Sequence, residues 1–150
     1  MFKHILVPTD GSEFSQDTVR RAVSFAKDAG AQITAFYAKP EFPVTYYGEG
    51  VLIDTTSPEK FAELAESQAQ EILGFVENLC KEAGVSCNKI SATSDIPYEA
   101  IIAAATQSEC DLIFMASHGR RGLASLLLGS ETQKVLTHST IPVLVYRTPS

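Results

Sequence analysis

Short apolar runs that alternate with helix-spaced apolar stripes predict one α/β domain: a doubly wound, five-stranded parallel sheet with helices on both faces. Three observations carry this. The alternation runs from end to end of residues 1–150, a length typical of one domain. The run ILVP, and DLIFMA after its leading Asp111, are continuously apolar, as strands covered on both faces must be. The chain is 45% hydrophobic and 20% charged, a balance that supports a packed core and excludes a disordered chain.

Phe2 to Val7 reads as a buried strand closed by Pro8. A helix follows, with Ser12 as its N-cap, Glu13 in its first turn, Val19, Ala22, Val23 and Ala26 on one face, and Gly30 as its C-cap. Ile33 to Ala38 is the second strand. Pro58 to Ala83 forms the longest helix, with Phe61, Leu64, Ala65, Ile72, Val76 and Leu79 as its apolar stripe and Gly84 as its stop. Val85 to Ala92 is a strand polar enough to lie toward an edge. Asp95 and Pro97 open a helix through Ile101, Ile102 and Ala105. Asp111 to Ala116 suits the sheet centre. Ser130 to His138 is the last helix and Ile141 to Tyr146 the last strand, placed at an edge by Pro142. Residues 39–57 and 117–129 exceed ordinary connections, and such excess is often functional.

A formal charge of −6 with 12 Lys and Arg argues against nucleic acid as a partner. Three cysteines, Cys80, Cys87 and Cys110, follow no ligand spacing and read as small buried hydrophobes in a reducing compartment. Met1-Phe2-Lys3-His4 runs straight into a strand, and no apolar run reaches the roughly 18 residues that span a bilayer. A cytoplasmic protein with no membrane partner is expected.

In open α/β sheets ligands collect at the carboxyl ends of strands where the winding reverses. The first and fourth strands end there in VPTDGS and MASHGRRGLASLLLGSET. Gly119 and Gly122 bracket Arg120 and Arg121, and Gly129-Ser130 opens a helix; glycines and a helix N-terminus together favour phosphate. The Ser130 hydroxyl is placed to cap its helix or to touch a phosphate, and His118 to line one. Asp10 is open to three roles: holding Mg²⁺, accepting from an adenine amino group, or capping the first helix. His4, His118 and His138 are not spaced as metal ligands. The sequence contains no nucleophile elbow, Walker phosphate loop, HExxH or GxGxxG. No catalytic residue is assigned, and a fast enzyme is not expected.

At these residues the chain resembles the universal stress protein family, over nearly its whole length. ILVPTDGSEFS is similar to that family's opening, and DLIFMASHGRRGLASLLLGSETQKVLTHSTIPVLVYR to its closing signature. The family's ATP-binding pattern is G-x2-G-x9-G-[S/T]. Gly119, nine residues, then Gly129-Ser130 match its second part, while Ala116 stands where the first glycine belongs. The resemblance implies strand order 3-2-1-4-5 and a stress-response or signalling module that binds ATP, with or without Mg²⁺; with no base and no phosphate-loop lysine in the sequence, any hydrolysis is expected to be slow. It implies that Pro8, Thr9 and Asp10 line the adenosine and that Ala38 flanks the base. Met115, Ala116 and Gly119 would line the ribose and phosphates, with Arg120, Gly129, Ser130 and Glu131 around the phosphate tail. It also implies a homodimer through Ile141 to Tyr146, which a proline at Leu144 is expected to weaken. Because some members lack the glycines, the alternative is a dimeric interaction protein of the same fold that no longer binds nucleotide.

Overall fold

The chain runs β1 (His4–Pro8), α1 (Glu13–Ala29), β2 (Gln32–Lys39), β3 (Tyr46–Tyr47), β4 (Gly50–Val51), α2 (Pro58–Ala83), β5 (Cys87–Thr93), α3 (Pro97–Gln107), β6 (Leu112–Ala116), α4 (Ser130–His138) and β7 (Val143–Tyr146). A computed structural model describes residues 1–43, 46–47, 50–51, 57–118 and 128–148. Five strands pair in parallel in the order β5-β2-β1-β6-β7. Numbered within that sheet, this is the expected 3-2-1-4-5. Among the described residues no helix is long and apolar enough to cross a membrane.

Side-chain alternation along the central strands decides where the helices lie. Ile5 and Val7 of β1, Ile33, Ala35 and Tyr37 of β2, and Leu112 and Phe114 of β6 face one way. They meet Val19, Ala22, Val23 and Ala26 of α1 and Ala69, Leu73, Val76 and Cys80 of α2. Leu6, Phe36, Ile113 and Met115 face the other way, onto Ile101, Ala104 and Ala105 of α3 and Val135 of α4. Each fully buried Ile or Leu in these layers contributes roughly 2 kcal/mol of burial free energy. β5, with only partly covered side chains, lies at one edge as its polarity predicts.

Local chemistry fixes the helix ends. Ser12 caps α1 by accepting from the Ser15 N–H, and Ser57 caps α2 by accepting from the Lys60 N–H. Gly30 and Gly84 close these helices in the left-handed conformation.

Four expectations are corrected. The buried stripe of α2 is Ala69, Leu73, Val76 and Cys80, and Leu64 is 57% exposed. The 26 residues of α2 span roughly 39 Å, against roughly 26 Å for the eight of β2, so one end of the helix must overhang the sheet. Lys39 at the end of β2 pairs with Glu66 at 2.9 Å, so the turns of α2 before Glu66 lie beyond the strand ends, where Leu64 has no sheet to cover. Second, the connection 39–57 contains a small ladder, with Tyr46 opposite Val51 and Tyr47 opposite Gly50. Third, Gly129 and not Ser130 holds the N-cap of α4, and Ser130 is its first residue. Fourth, β6 takes up the main-chain groups of alternate β7 residues: Pro142 O accepts from Ile113 N and Tyr146 O from Ser117 N. By that alternation Leu144 also faces β6, while Val143 and Val145 present theirs to the free edge. A proline at Leu144 would therefore damage the monomer's own ladder.

Asp111 joins the starts of β1 and β6. Its carboxylate accepts from Lys3 N at 2.9 Å and His4 N at 3.0 Å. Partial burial acts to raise its pKa, but these N–H groups outweigh it and hold the carboxyl below its ordinary 3.8. A carboxyl depressed in the folded state stabilises above its unfolded pKa and loses that contribution as pH falls through the folded one. Asp111→Ala is expected to cost about 1 kcal/mol at pH 7, limited by solvent screening. Chemical denaturation at several pH values should show the gap from wild type closing below about pH 4.

Candidate functional site

The sheet parts at its centre. β1 and β6 pair only at Ile5–Leu112 and Leu6–Ile113. Beyond that, Val7 and Pro8 pair with Ala35 and Phe36 of β2, while Met115 and Ala116 pair with Val145 and Tyr146 of β7. The carboxyl halves of β1 and β6 thus belong to opposite wings, and a cleft opens between VPTDGS and MASH. This is the switch point of a doubly wound sheet.

One lip is a network of short polar side chains. Thr9 N donates to Phe36 O at 2.9 Å, and the Thr9 hydroxyl oxygen accepts from Ser15 Oγ at 2.7 Å and Gly11 N at 3.2 Å. Asp10 Oδ1 accepts from Ser12 N at 2.9 Å, and Ser15 Oγ accepts from Asp10 N at 3.3 Å. Asp10 therefore braces the turn that presents the α1 cap rather than being the cap. Gly11 makes the turn possible: its φ is +81°, and a Cβ there would stand 2.9 Å from Ile72 Cγ1 on α2.

The opposite lip ties β6 to α4. Gly129 N donates to Ser117 O at 2.8 Å, and Thr132 Oγ1 donates to Ala116 O at 2.9 Å. Ser117 Oγ and His118 Nδ1 share a hydrogen bond of 3.1 Å. Gly129 has an extended backbone, φ −62° and ψ 154°, and no side chain to accept from the first turn. α4 thus starts without the acceptor that Ser12 and Ser57 give α1 and α2, which leaves the kind of N-terminus that receives anions.

Pro8, Thr9 and Asp10 stand on the first lip, and Met115, Ala116, His118, Gly129 and Ser130 on the second. Ala38 is the penultimate residue of β2, opposite Ala92 of β5 and on the α3–α4 side of the sheet. Gly119 and Arg120, with Arg121 and Gly122, lie outside the described residues. Glu131 is drawn elsewhere: its Oε1 accepts from Tyr98 N at 3.0 Å, supplying the α3 N-terminus with an acceptor, and its Oε2 lies 3.5 Å from Lys134 Nζ. Sequence reasoning missed Ser15, Ser117 and Thr132. The signal available was Ser15 itself, a polar residue on the same face of α1 as Val19, Ala22 and Ala26. Among the described residues no cluster of His, Cys, Asp and Glu could hold a metal ion.

The family model for the Universal stress protein family matches residues 1–147. The chain belongs to this family. Universal stress protein MJ0531 of Methanocaldococcus jannaschii is 33% identical over 150 residues, covering 99% of this chain and 84% of that protein. Among solved structures, that of MJ0577 superposes with a TM-score of 0.76 at 26% identity, covering 100% of this chain and 99% of its own. A universal stress protein solved in complex with cAMP gives 0.70 at 23% identity, covering 99% and 98%. One from Arabidopsis thaliana with AMP bound gives 0.64 at 19% identity, covering 99% and 93%. At those last two identities the likeness shows the shared fold.

Proposed function

We propose that this universal stress protein binds an adenine nucleotide, ATP with or without Mg²⁺, across the β1–β6 cleft and acts as a cytoplasmic stress-response or signalling module. The parting of β1 from β6 after two paired positions supports the reading, because it separates TDGS from the start of α4, whose N-cap Gly129 brings no side-chain acceptor, at the switch point where ligands collect. Adenosine would lie along Pro8, Thr9 and Asp10, with Ala38 beside the base. Met115, Ala116 and Gly119 would line the ribose and phosphates, and Arg120, Gly129 and Ser130 would meet the phosphate tail. Glu131 would act at one remove, by holding α3 against α4. The fold's occurrence with cAMP and AMP supports the ligand class. Mass spectrometry of the small molecules released from gently purified protein tests it. An adenine nucleotide at near-stoichiometric yield is expected, and its absence even after ATP is supplied would favour the interaction-only reading to which Ala116 points.

Hydrolysis is expected below about one turnover per minute, against roughly 1–10³ per second for ordinary enzymes. The Asp10 carboxylate is engaged by Ser12 N, and the sequence has no phosphate-loop lysine. Steady-state turnover well above that rate and lost in Asp10→Asn would instead make this an enzyme.

The proposed homodimer pairs β7 with its copy, since β7 ends the sheet and Val143 and Val145 turn their main-chain groups away from β6. Val145→Pro removes an outward N–H and should sediment as a monomer at a concentration where wild type is dimeric. A wild type that is monomeric at high micromolar concentration contradicts it.

A further inference from the structure

We propose that the outer edge of β5 and the adjoining flank of α2 form a groove that takes up an extended, basic segment of another protein as a sixth strand. The register with β2 decides which main-chain groups are open. Ile33 N donates to Ser86 O and Ser94 N donates to Lys39 O, so the even-numbered residues of β5 serve β2. Cys87, Lys89, Ser91 and Thr93 therefore turn their N–H and C=O groups the other way, where the sheet ends. β5 has seven residues, pairs with β2 in unbroken register and contains no proline. β7, at the other edge, has four residues and follows directly on Pro142. The one charge in β5, Lys89, is drawn onto Glu77 of α2 at 3.2 Å instead of guarding the edge. A long, regular edge of this kind is a template for an added strand.

α2 supplies the wall beside that edge. Helical spacing puts Glu63, Glu66, Gln70, Gly74 and Glu77 on one flank. Contacts orient this flank: Glu77 meets Lys89 of β5 and Glu66 meets Lys39 at the end of β2. On the opposite flank Ile72 lies against Gly11 and Phe75 against Arg20 of α1. Gly74 stands between Gln70 and Glu77, in the middle of a long helix, where glycine is a poor helix former. Its backbone is ordinary helix, and a Cβ on it would meet no atom of the described residues within 4 Å. Packing within one chain thus gives no reason for a glycine here. Its effect is to keep the flank low beside the edge of β5, so that an added strand can come close.

The two sides of the groove set the partner's chemistry, because alternate side chains of an added strand turn toward α2 and toward the α3 side. On the α2 side the amino-terminal half of the flank carries the exposed carboxylates Glu59, Glu63 and Glu66, with Lys39 already taken up by Glu66. Glu41 and Asp95 add two more where β2 and β5 end, joined by Glu41 N donating to Asp95 Oδ1 at 3.0 Å. Lys or Arg complements this side. On the α3 side the strand would lie beside Ile90, partly buried in that core layer, and the exposed Ala92, which suit β-branched residues. A segment that alternates Lys or Arg with Val or Thr meets both requirements.

By fluorescence anisotropy, a labelled octapeptide of alternating Lys and Val should bind the native protein, and its Glu-Val counterpart at least about tenfold more weakly. Only one set of peptide N–H groups can face β5. Of two further versions, N-methylated on every lysine or on every valine, one should therefore bind at least about tenfold more weakly than the other. With the Lys-Val peptide, amide exchange should slow at Lys89, Ser91 and Thr93. It should stay as it was at Asn88, Ile90 and Ala92, whose N–H groups already serve β2. Gly74→Gln should melt no lower than wild type, since its side chain enters open space on a helix, yet bind the peptide at least about tenfold more weakly. No binding at millimolar peptide, equal binding of the Lys and Glu peptides or of the two N-methylated ones, unchanged exchange along β5, or full affinity in Gly74→Gln would each overturn the proposal. So would self-association that protects the same amides and excludes the peptide, which gives the edge to a second copy. β2 and β1 separate β5 from the β1–β6 cleft, so these readouts do not depend on nucleotide binding.

Discussion

Replacing Gly129 with valine is expected to cut ATP affinity at least tenfold, about 1.4 kcal/mol. Gly129 stands at the N-cap of α4 and is anchored to Ser117 O through its own N–H, so its position relative to β6 is fixed. Its φ of −62° suits any residue, so valine brings no strain of the left-handed kind. The loss would come from a branched side chain set where phosphate oxygens approach the first-turn N–H groups. Valine is also a poor N-cap, which costs roughly 1 kcal/mol of fold stability. Affinity must therefore be read by calorimetry well below the melting transition. Ala116→Gly restores the family's first motif glycine and should leave affinity equal or better. Unchanged affinity in folded Gly129→Val would remove the phosphate tail from α4.

Gly11→Ala is expected to lower stability by about 2 kcal/mol, from left-handed strain and forced repacking together. The φ of +81° disfavours any side chain, and the new Cβ would sit 2.9 Å from Ile72 Cγ1 and 3.0 Å from Cδ1. Those atoms belong to a β-branched side chain packed against the core, so relief requires Ile72 to leave its rotamer or the turn to shift. For 150 residues this corresponds to a fall in Tm of roughly 4–8 °C. The two causes separate in a double-mutant cycle, because Ile72→Ala removes the crowding but not the strain. Denaturation of the four proteins should show a smaller Gly11→Ala penalty in the Ile72→Ala background. Additive effects would place the whole cost in the backbone.

Local signals made most of the fold legible. Pro58 and Gly84 bound α2 because each acts on its own backbone, and the alternation of apolar runs with helical stripes forced a parallel sheet. What failed was non-local. Leu64 looks like a core residue at helical spacing, yet only the relative lengths of α2 and β2 reveal that it overhangs. Asp-Gly-Ser reads as a turn, but nothing near Gly11 in sequence tells that Ile72 closes over it. Glu131 follows the motif's Gly-Ser and looks like a phosphate neighbour, whereas its partner Tyr98 lies 33 residues away.

Amide chemical shifts of the native protein during titration with ATP and Mg²⁺ test the central claim most directly, because they report where the ligand sits as well as whether it binds. The account predicts the largest changes at Thr9, Asp10, Gly11 and Ser12, at Ser117 and His118, and at Gly129, Ser130 and Thr132. Gly30, Gly84 and Ser139, at the opposite ends of their helices, should stay in place. Changes centred away from the carboxyl ends of β1 and β6, or none at millimolar ATP, would contradict it.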